Sequence, residues 1–358
     1  MLVSRALKVK DNGACGRDSL KNSHKLAKKC SFCSNLRPSP MQTIAMLAQR
    51  GLLRSAACAA APPRSIDVLF RDENFIVVNK PFDVVTQAEG SDDTVEGIVQ
   101  RVCCVPKVWF PHQLDYATSG VICLALSSTA AAFAGEHFSG RSARKEYRAL
   151  VFGHVPSGSI FIDASIAPWG GPVEIVPRGR EGQAVDFRQS VGTALNPGKP
   201  SQTRVVCLEC GYFMGHAASR VALFPLTGRR HQLRVHCLHA GFPIIGDGSY
   251  CPTPPVAVSA TSESESAPGV AVLADLSSVR MMLHAHALTF EASPAEKRTK
   301  KRQRVLQSVA MQSANWVAPD PFEGVLDGSR RPSAAPASFL ARMGSGCSAV
   351  PGEVHADA

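Results

Sequence analysis

The chain has 358 residues, 45% of them hydrophobic, enough to bury one large core or two modest ones. Its net charge of +10 sits at the ends: residues 1–64 hold 12 basic and 2 acidic side chains, residues 65–291 hold 18 and 21, and residues 292–358 hold 9 and 6. A membrane-spanning helix is not expected, because no run of about 18 or more apolar residues occurs, and bulk charge gives the middle no general affinity for nucleic acid, which would have to come from local arginine clusters. The 12 cysteines show no framework spacing and no secretory signal opens the chain, so reduced, intracellular thiols are expected.

In chain order, residues 1–64 are basic and rich in Ser and Ala, and are expected to be a disordered extension. Within them MQTIAMLAQRGLLRSAACAAAPPRS (41–65) has no acid and three arginines, the composition of a mitochondrial presequence starting at Met41 or Met46. Folded sequence is predicted from residue 65. Ile66–Phe70 and Phe75–Val78 are predicted strands around a polar turn, Arg71-Asp72-Glu73-Asn74. Val121–Leu126 is a buried strand, followed by a helix over Ser128–Phe138 with Ser127 or Ser128 as its N-cap. Further strands are predicted at Tyr147–Val151, Ser219–Phe224 and Leu283–Phe290. A helix is predicted over Arg230–Ala240, with Leu233, Cys237 and Ala240 on one face and Gly241 as the stop. Residues 252–279, rich in Ser, Pro, Ala and Val, are expected to be a loop insertion. Residues 292–358 open on a basic cluster, Lys297 to Arg304, and run into a low-complexity tail. Strands with irregularly placed helices point to an α+β fold.

Three polar clusters interrupt the apolar background. His112-Gln113-Leu114-Asp115-Tyr116-Ala117-Thr118-Ser119-Gly120 is a tight loop before a strand, where Asp115 is either a turn former or a side chain presented at a sheet edge. Arg144-Lys145-Glu146-Tyr147-Arg148 sets an aromatic among charges, as base stacking would need and as any exposed strand also allows. Thr227-Gly228-Arg229-Arg230-His231-Gln232-Leu233-Arg234 opens a helix at Thr227 or Gly228 and sets Arg230 and Arg234 one turn apart, on a binding face or a merely solvated one. Cys30/Cys33 and Cys207/Cys210 have C-x-x-C spacing, but the pairs lie too far apart in sequence to suggest one four-ligand zinc site. His231, His236, His284 and His286 lack metalloenzyme spacing, and are read as structural or phosphate-facing.

Taken together, these segments resemble the RluA-type RNA pseudouridine synthases across about residues 66–291. FIVVNKPFDVV (75–85) resembles the family's opening strand and Asn-Lys-Pro turn, and HQLDYATSG (112–120) its catalytic loop. RKEYRALVFG (144–153) resembles the strand bearing its tyrosine, LTGRRHQLRVHCLHAGFPIIGD (226–247) its arginine segment, and LHAHALTF (283–290) its last strand. Gln113 departs from the arginine of most bacterial members, and resembles the eukaryotic RNA pseudouridylate synthase domain-containing type.

The resemblance implies a pseudouridine synthase fold, a mixed and mainly antiparallel sheet flanked by helices and loops, with a catalytic domain at 65–291. It implies Asp115 as the catalytic carboxylate, Tyr147 as the aromatic that packs on a flipped uracil and helps remove its C5 proton, and Arg234 as the partner of Asp115. Leu233 walls the base pocket, and His112, Gln113, Arg230 and His231 are expected to contact substrate. The isomerisation needs no redox change and no energy input, so no cofactor and no metal is expected. Asp115 would attack the sugar carbon, or remove the 2′ proton to give a glycal. The expected partner is transfer or ribosomal RNA, met by a monomer. The alternative is an RNA-binding member of the same fold that does not catalyse.

Overall fold

The computed structural model describes residues 40–53, 65–88, 91–170, 187–251, 279–290, 314–333 and 345–350. Cys30/Cys33, the basic cluster Lys297 to Arg304 and residues 252–278 of the expected insertion lie outside these. The chain divides into residues 1–43 and 44–358. Of the first unit only the opening residues of one helix are described; the sheet and the cleft belong to the second.

Helix α1 (Pro40–Gln49) is stopped by Gly51 at φ 63°. Gly51 N–H bonds Ala48 O at 3.0 Å and Leu52 N–H bonds Leu47 O at 2.8 Å, the paired closure that tucks an apolar side chain back under a helix end. Leu47 and Leu52 are both fully buried in the main core. The expectation of a disordered extension over 1–64 is therefore corrected for 40–53: composition averaged over the segment hid one apolar pair set at a helix terminus.

Strand β1 (Asp67–Arg71) pairs with β2 (Phe75–Lys80) around a turn in which Asp72 Oδ1 accepts from Asn74 N and Phe75 N. Helix α2 (Val95–Cys103), not anticipated, is capped by Thr94 and buries Val95, Ile98, Val99 and Cys103. Strand β3 (Ser119–Ala125) is buried at all seven positions. Helix α3 (Ser128–Ser139) has Ser127 as N-cap, the first of the two serines expected there. Strand β4 (Ala143–Phe152) is followed by β5 (Ser159–Asp163), β6 (Ile166–Pro168) and β7 (Gln189–Val191). Strands β8 (Gln202–Phe213) and β9 (His216–Pro225) join through Met214-Gly215, both at positive φ, which suits the twist of a two-residue hairpin.

Helix α4 spans Gln232–His239, two residues shorter at its start than expected. His231 sits in the left-handed region at φ 53°, which helical backbone cannot continue through. Strand β10 (Leu283–Phe290) is as predicted. Beyond it, β11 (Ala314–Val317), β12 (Asp327–Arg330) and β13 (Cys347–Val350) lie in the stretch read as a tail. They extend the sheet, and Trp316, Phe322, Val325 and Leu326 are buried, so the folded region reaches past residue 291. The apolar residues there, Trp316 to Leu326, form a short stretch broken by Pro319, Pro321 and Gly324, which hides any strand or helix period.

Among the described residues the main sheet has eleven strands in the order β1-β2-β3-β10-β4-β9-β8-β5-β13, with β11 on β10 and β12 on β8. Every pairing is antiparallel except β3–β10, which gives the expected mixed, mainly antiparallel α+β architecture. At that parallel pair a Cβ on Gly120 (φ 111°) would lie 2.1 Å from Ala285 O, so only glycine lets the two strands meet. The sheet thus brings the loop ahead of β3, the tyrosine strand β4 and the segment after β9 to one place. No helix among the described residues is long and apolar enough to cross a membrane.

Candidate active site

A cleft of about 1650 Å³ opens where those three segments meet. All eight residues singled out from sequence line it: Asp115, Tyr147 and Arg234, with His112, Gln113, Leu233, Arg230 and His231.

The loop bearing Asp115 is held from beneath. Lys80, fully buried at the end of β2, donates from Nζ to Tyr116 O at 2.9 Å, Thr118 O at 2.8 Å and Pro81 O at 3.1 Å. An ammonium with three oriented acceptors fixes the backbone on either side of the aspartate. His112 Nε2 accepts from Cys123 N–H at 2.9 Å, and its ring stacks on Phe138 at 4.5 Å. Burial pushes this imidazole down to about 3, with the nearby Lys145 acting in the same direction. His112 is thus a neutral clasp between loop and β3. Gln113 next to it is exposed at the rim.

Arg234 is buried at 7% exposure. Its planar fork does not grip Asp115. Nε and Nη2 donate to Asp247 Oδ2 and Oδ1, both at 2.7 Å, and Nη1 alone reaches Asp115 Oδ2 at 3.5 Å. Asp247 is only 1% exposed. Burial opposes the guanidinium charge, but the bonds and charge of Asp247 outweigh it and raise its pKa. Asp247 closes the arginine segment, where sequence alone assigns it no role. The preceding Gly246 (φ 74°), whose Cβ would lie 2.1 Å from Arg280 O, fixes the turn that aims Asp247, a constraint visible only in the fold.

The loop before α4 is organised by Gln232, which sequence reasoning also passed over. Its Oε1 accepts from Thr227 Oγ1 at 2.7 Å and Arg229 N at 3.0 Å, and its Nε2 donates to Gln202 O and Thr203 Oγ1. With Thr227 and Arg229 tied this way, Arg230 lies on a loop and not one helical turn from Arg234, which corrects the expectation. Arg230 is exposed and stacks over Phe187 at 4.6 Å. Arg188 stacks over Trp169 at 5.0 Å, with Trp169 N–H bonded to Arg188 O across β6 and β7. Phe187 and Arg188 also line the cleft.

His231 Nε2 lies 3.9 Å from Asp115 Oδ1, and its Nδ1 lies 2.8 Å from Tyr250 Oη. Tyr250 Oη accepts from Gln189 N–H at 2.8 Å, and its ring lies under Arg234 at 4.8 Å. Tyr147, half-buried on β4, has its phenol pKa raised by burial and by the charge of Asp115. Its hydroxyl is therefore protonated at neutral pH, and it offers the cleft a flat, neutral ring. His236 is fully buried between Thr203 Oγ1 and Ala164 O, and His284 is buried on Ser119 Oγ; both are structural. Cys207 and Cys210 lie buried on β8 with Sγ atoms 3.5 Å apart. Among the described residues no group of three or more His, Cys, Asp or Glu is placed to hold a metal.

The family model of the RNA pseudouridylate synthases matches residues 74–239, the span holding Lys80, Asp115, Tyr147 and Arg234. The dual-specificity RNA pseudouridine synthase RluA of Escherichia coli K12 is 32% identical over 242 residues, covering 66% of this chain and 96% of the relative. The chain belongs to the RNA pseudouridylate synthase family. The human RNA pseudouridylate synthase domain-containing protein 1 is 34% identical over 195 residues, 52% of this chain and 60% of that protein, so the match leaves about two fifths of the relative unaligned. A solved structure of human RNA pseudouridylate synthase domain-containing 1 superposes with a TM-score of 0.52 at 30% identity, covering 79% of this chain and 95% of that one. For this pseudouridylate synthase family member, the sheet order and its one parallel pair are what carry the loop, the tyrosine and the arginine into a single cleft.

Proposed function

We propose that this chain is an RNA pseudouridine synthase with Asp115 as its catalytic carboxylate. The observation that carries the proposal is the setting of Asp115 in the cleft. Its carboxylate is partly exposed, at 27%, with guanidinium and imidazole nitrogens beside its two oxygens and the neutral ring of Tyr147 within its electrostatic reach. The reaction breaks the N1–C1′ bond of uridine, joins C1′ to C5, releases the C5 proton to solvent and leaves a proton on N1 in its place. Asp115 would act on the sugar, as a nucleophile at C1′ or as the base for the 2′ proton. Arg234 orients it through a charge-assisted contact. Tyr147 and Leu233 wall the base, and Tyr147 serves as a stacking surface, since a phenol held neutral is a poor proton acceptor. Arg230 and Arg188, flattened against Phe187 and Trp169, suit the phosphates and unpaired bases of an RNA opened at its target. The middle of the chain needs such local cations, because its overall charge is slightly negative.

Transfer and ribosomal RNA transcripts made with C5-tritiated uridine test this. The full chain is expected to release tritium while base and sugar stay joined. Asp115→Asn, which keeps shape and loses charge, is expected to slow release at least about a hundredfold with RNA affinity within about twofold of the original. Free uracil would mean a glycosidase, and RNA binding without tritium release a non-catalytic member of the family; either outcome overturns the proposal.

A further inference from the structure

His231 carries a conformational cost. It is a non-glycine residue at φ 53° and ψ 17°, caps α4 with no side-chain bond to the helix, and sits where helical backbone would otherwise begin. What the conformation accomplishes is to place the imidazole between Tyr250 and Asp115. Its two nitrogens meet different partners: Nδ1 is 2.8 Å from Tyr250 Oη, and Nε2 is 3.9 Å from Asp115 Oδ1. Burial pushes this imidazole down to about 4 against the pull of Asp115, with Arg234 and Arg230 acting in the direction of burial, so the ring is neutral and carries one proton.

Tyr250 decides which nitrogen holds that proton. Its oxygen already accepts Gln189 N–H at 2.8 Å. Its own proton needs an acceptor, and Nδ1 lies at hydrogen-bond distance. Burial keeps that hydroxyl protonated, pushing it up to about 12. A hydroxyl donating to Nδ1 leaves the ring proton on Nε2, the nitrogen that faces Asp115. We infer that His231 and Tyr250 are positioning residues for Asp115: Tyr250 fixes the tautomer of His231, and His231 presents Nε2–H to Asp115 Oδ1 while Arg234 holds Oδ2. The distance of 3.9 Å is an approach that closes when substrate fills the cleft. Asp115 would then be gripped at both oxygens, with its carboxylate plane set against the sugar.

The inference rests on the pseudouridine synthase reading, and its test separates the two. In glutamine the side-chain amide nitrogen falls at the place of Nε2; in asparagine it falls at the place of Nδ1. Asparagine, however, accepts a left-handed backbone better than glutamine. If His231 only supports the backbone, His231→Asn should equal or exceed His231→Gln in both melting temperature and turnover. The inference expects the opposite order in turnover: His231→Gln within about threefold of the original, and His231→Asn and Tyr250→Phe slower by about tenfold or more with KM little changed, the loss of a hydrogen bond to a charged group. The rates are read as tritium release from C5-tritiated transfer and ribosomal RNA transcripts by the full chain. Nitrogen-15 spectra of histidine-labelled full chain give a readout independent of turnover: His231 should be protonated at Nε2, and lose that preference in Tyr250→Phe. Protonation at Nδ1, or asparagine working as well as glutamine, overturns the inference alone. Absence of tritium release from the unmodified chain overturns the synthase reading and the role of His231 with it, whatever tautomer the spectra show.

Discussion

Arg234 commits its fork to Asp247 and offers Asp115 a single nitrogen. The division has a chemical consequence. A carboxylate in a two-bond guanidinium grip is stabilised as an anion and slow to react, whereas one touched at 3.5 Å keeps its reactivity while still being aligned. The geometry of the pair is therefore set by Asp247, which is itself only 1% exposed. Lysine at position 234 keeps the positive charge but cannot make two parallel bonds. Arg234→Lys is expected to slow turnover roughly ten- to hundredfold and to lower the melting temperature, because breaking a buried pair costs about 3–5 kcal/mol when one partner is lost outright. Equal activity in the lysine variant, measured by single-turnover tritium release, would show that Arg234 acts only as a charge.

At the scale of elements, the end of the β6–β7 ribbon, where Phe187 and Arg188 reach the cleft, has the clearest bearing on nucleic acid. Trp169 and Phe187 are exposed at 40% and 45%, and each carries a guanidinium on its ring. Large aromatics are rarely left so open unless something covers them. Replacing both by alanine removes stacking surface and no charge. Such a variant is expected to bind a single-stranded oligouridylate about tenfold more weakly, with its affinity for a fully paired RNA duplex unchanged. The slope of affinity against salt should stay the same, since the same number of phosphates is neutralised. A parallel loss for duplex, or a shallower salt slope, would place the effect in the arginines and not the rings.

At the scale of the whole molecule, burial lowers six imidazoles among the described residues and takes four of them furthest: His112 and His284 fall to about 3, and His231 and His236 to about 4. In the unfolded chain each titrates near 6.5. Between those values the unfolded state binds more protons, so stability is complete above about pH 6.5 and is lost as pH falls toward the folded values. Thermal midpoints measured from pH 8 to pH 5 are expected to hold steady and then decline below about 6.5, with the uptake of about three to four protons on unfolding at the acid end. A flat profile down to pH 5 would mean that these rings are solvated in the native state. The same acid limb should appear in Asp115→Asn, whose side chain takes no part in burying His112, His236 or His284.

The residues that line the cleft were legible in the sequence wherever a residue carried its own signal. An aspartate in a tight loop, a tyrosine among charges and an arginine in a polar run each stood out of an apolar background, and their order along the chain sufficed to name a family. The buried strands β3 and β10 and the cap of α3 were readable for the same reason, because pattern and capping are local. Asp247, Tyr250, Gln232 and Lys80 were not readable. Each looks ordinary in its own neighbourhood, and each owes its role to a partner elsewhere in the fold, up to 61 positions away in the case of Tyr250 and Gln189. The strands after Phe290 and the helix end at Leu47 and Leu52 were hidden in the same way: a short apolar stretch between long low-complexity flanks means little until a sheet stands next to it. The residue types and their order were set by the sequence; that Asp247 takes the fork of Arg234, that Tyr250 faces His231, and that Asp115 stays within reach of both was decided by tertiary structure, because hydrogen bonds and burial depend on distance in space, which sequence separation does not encode.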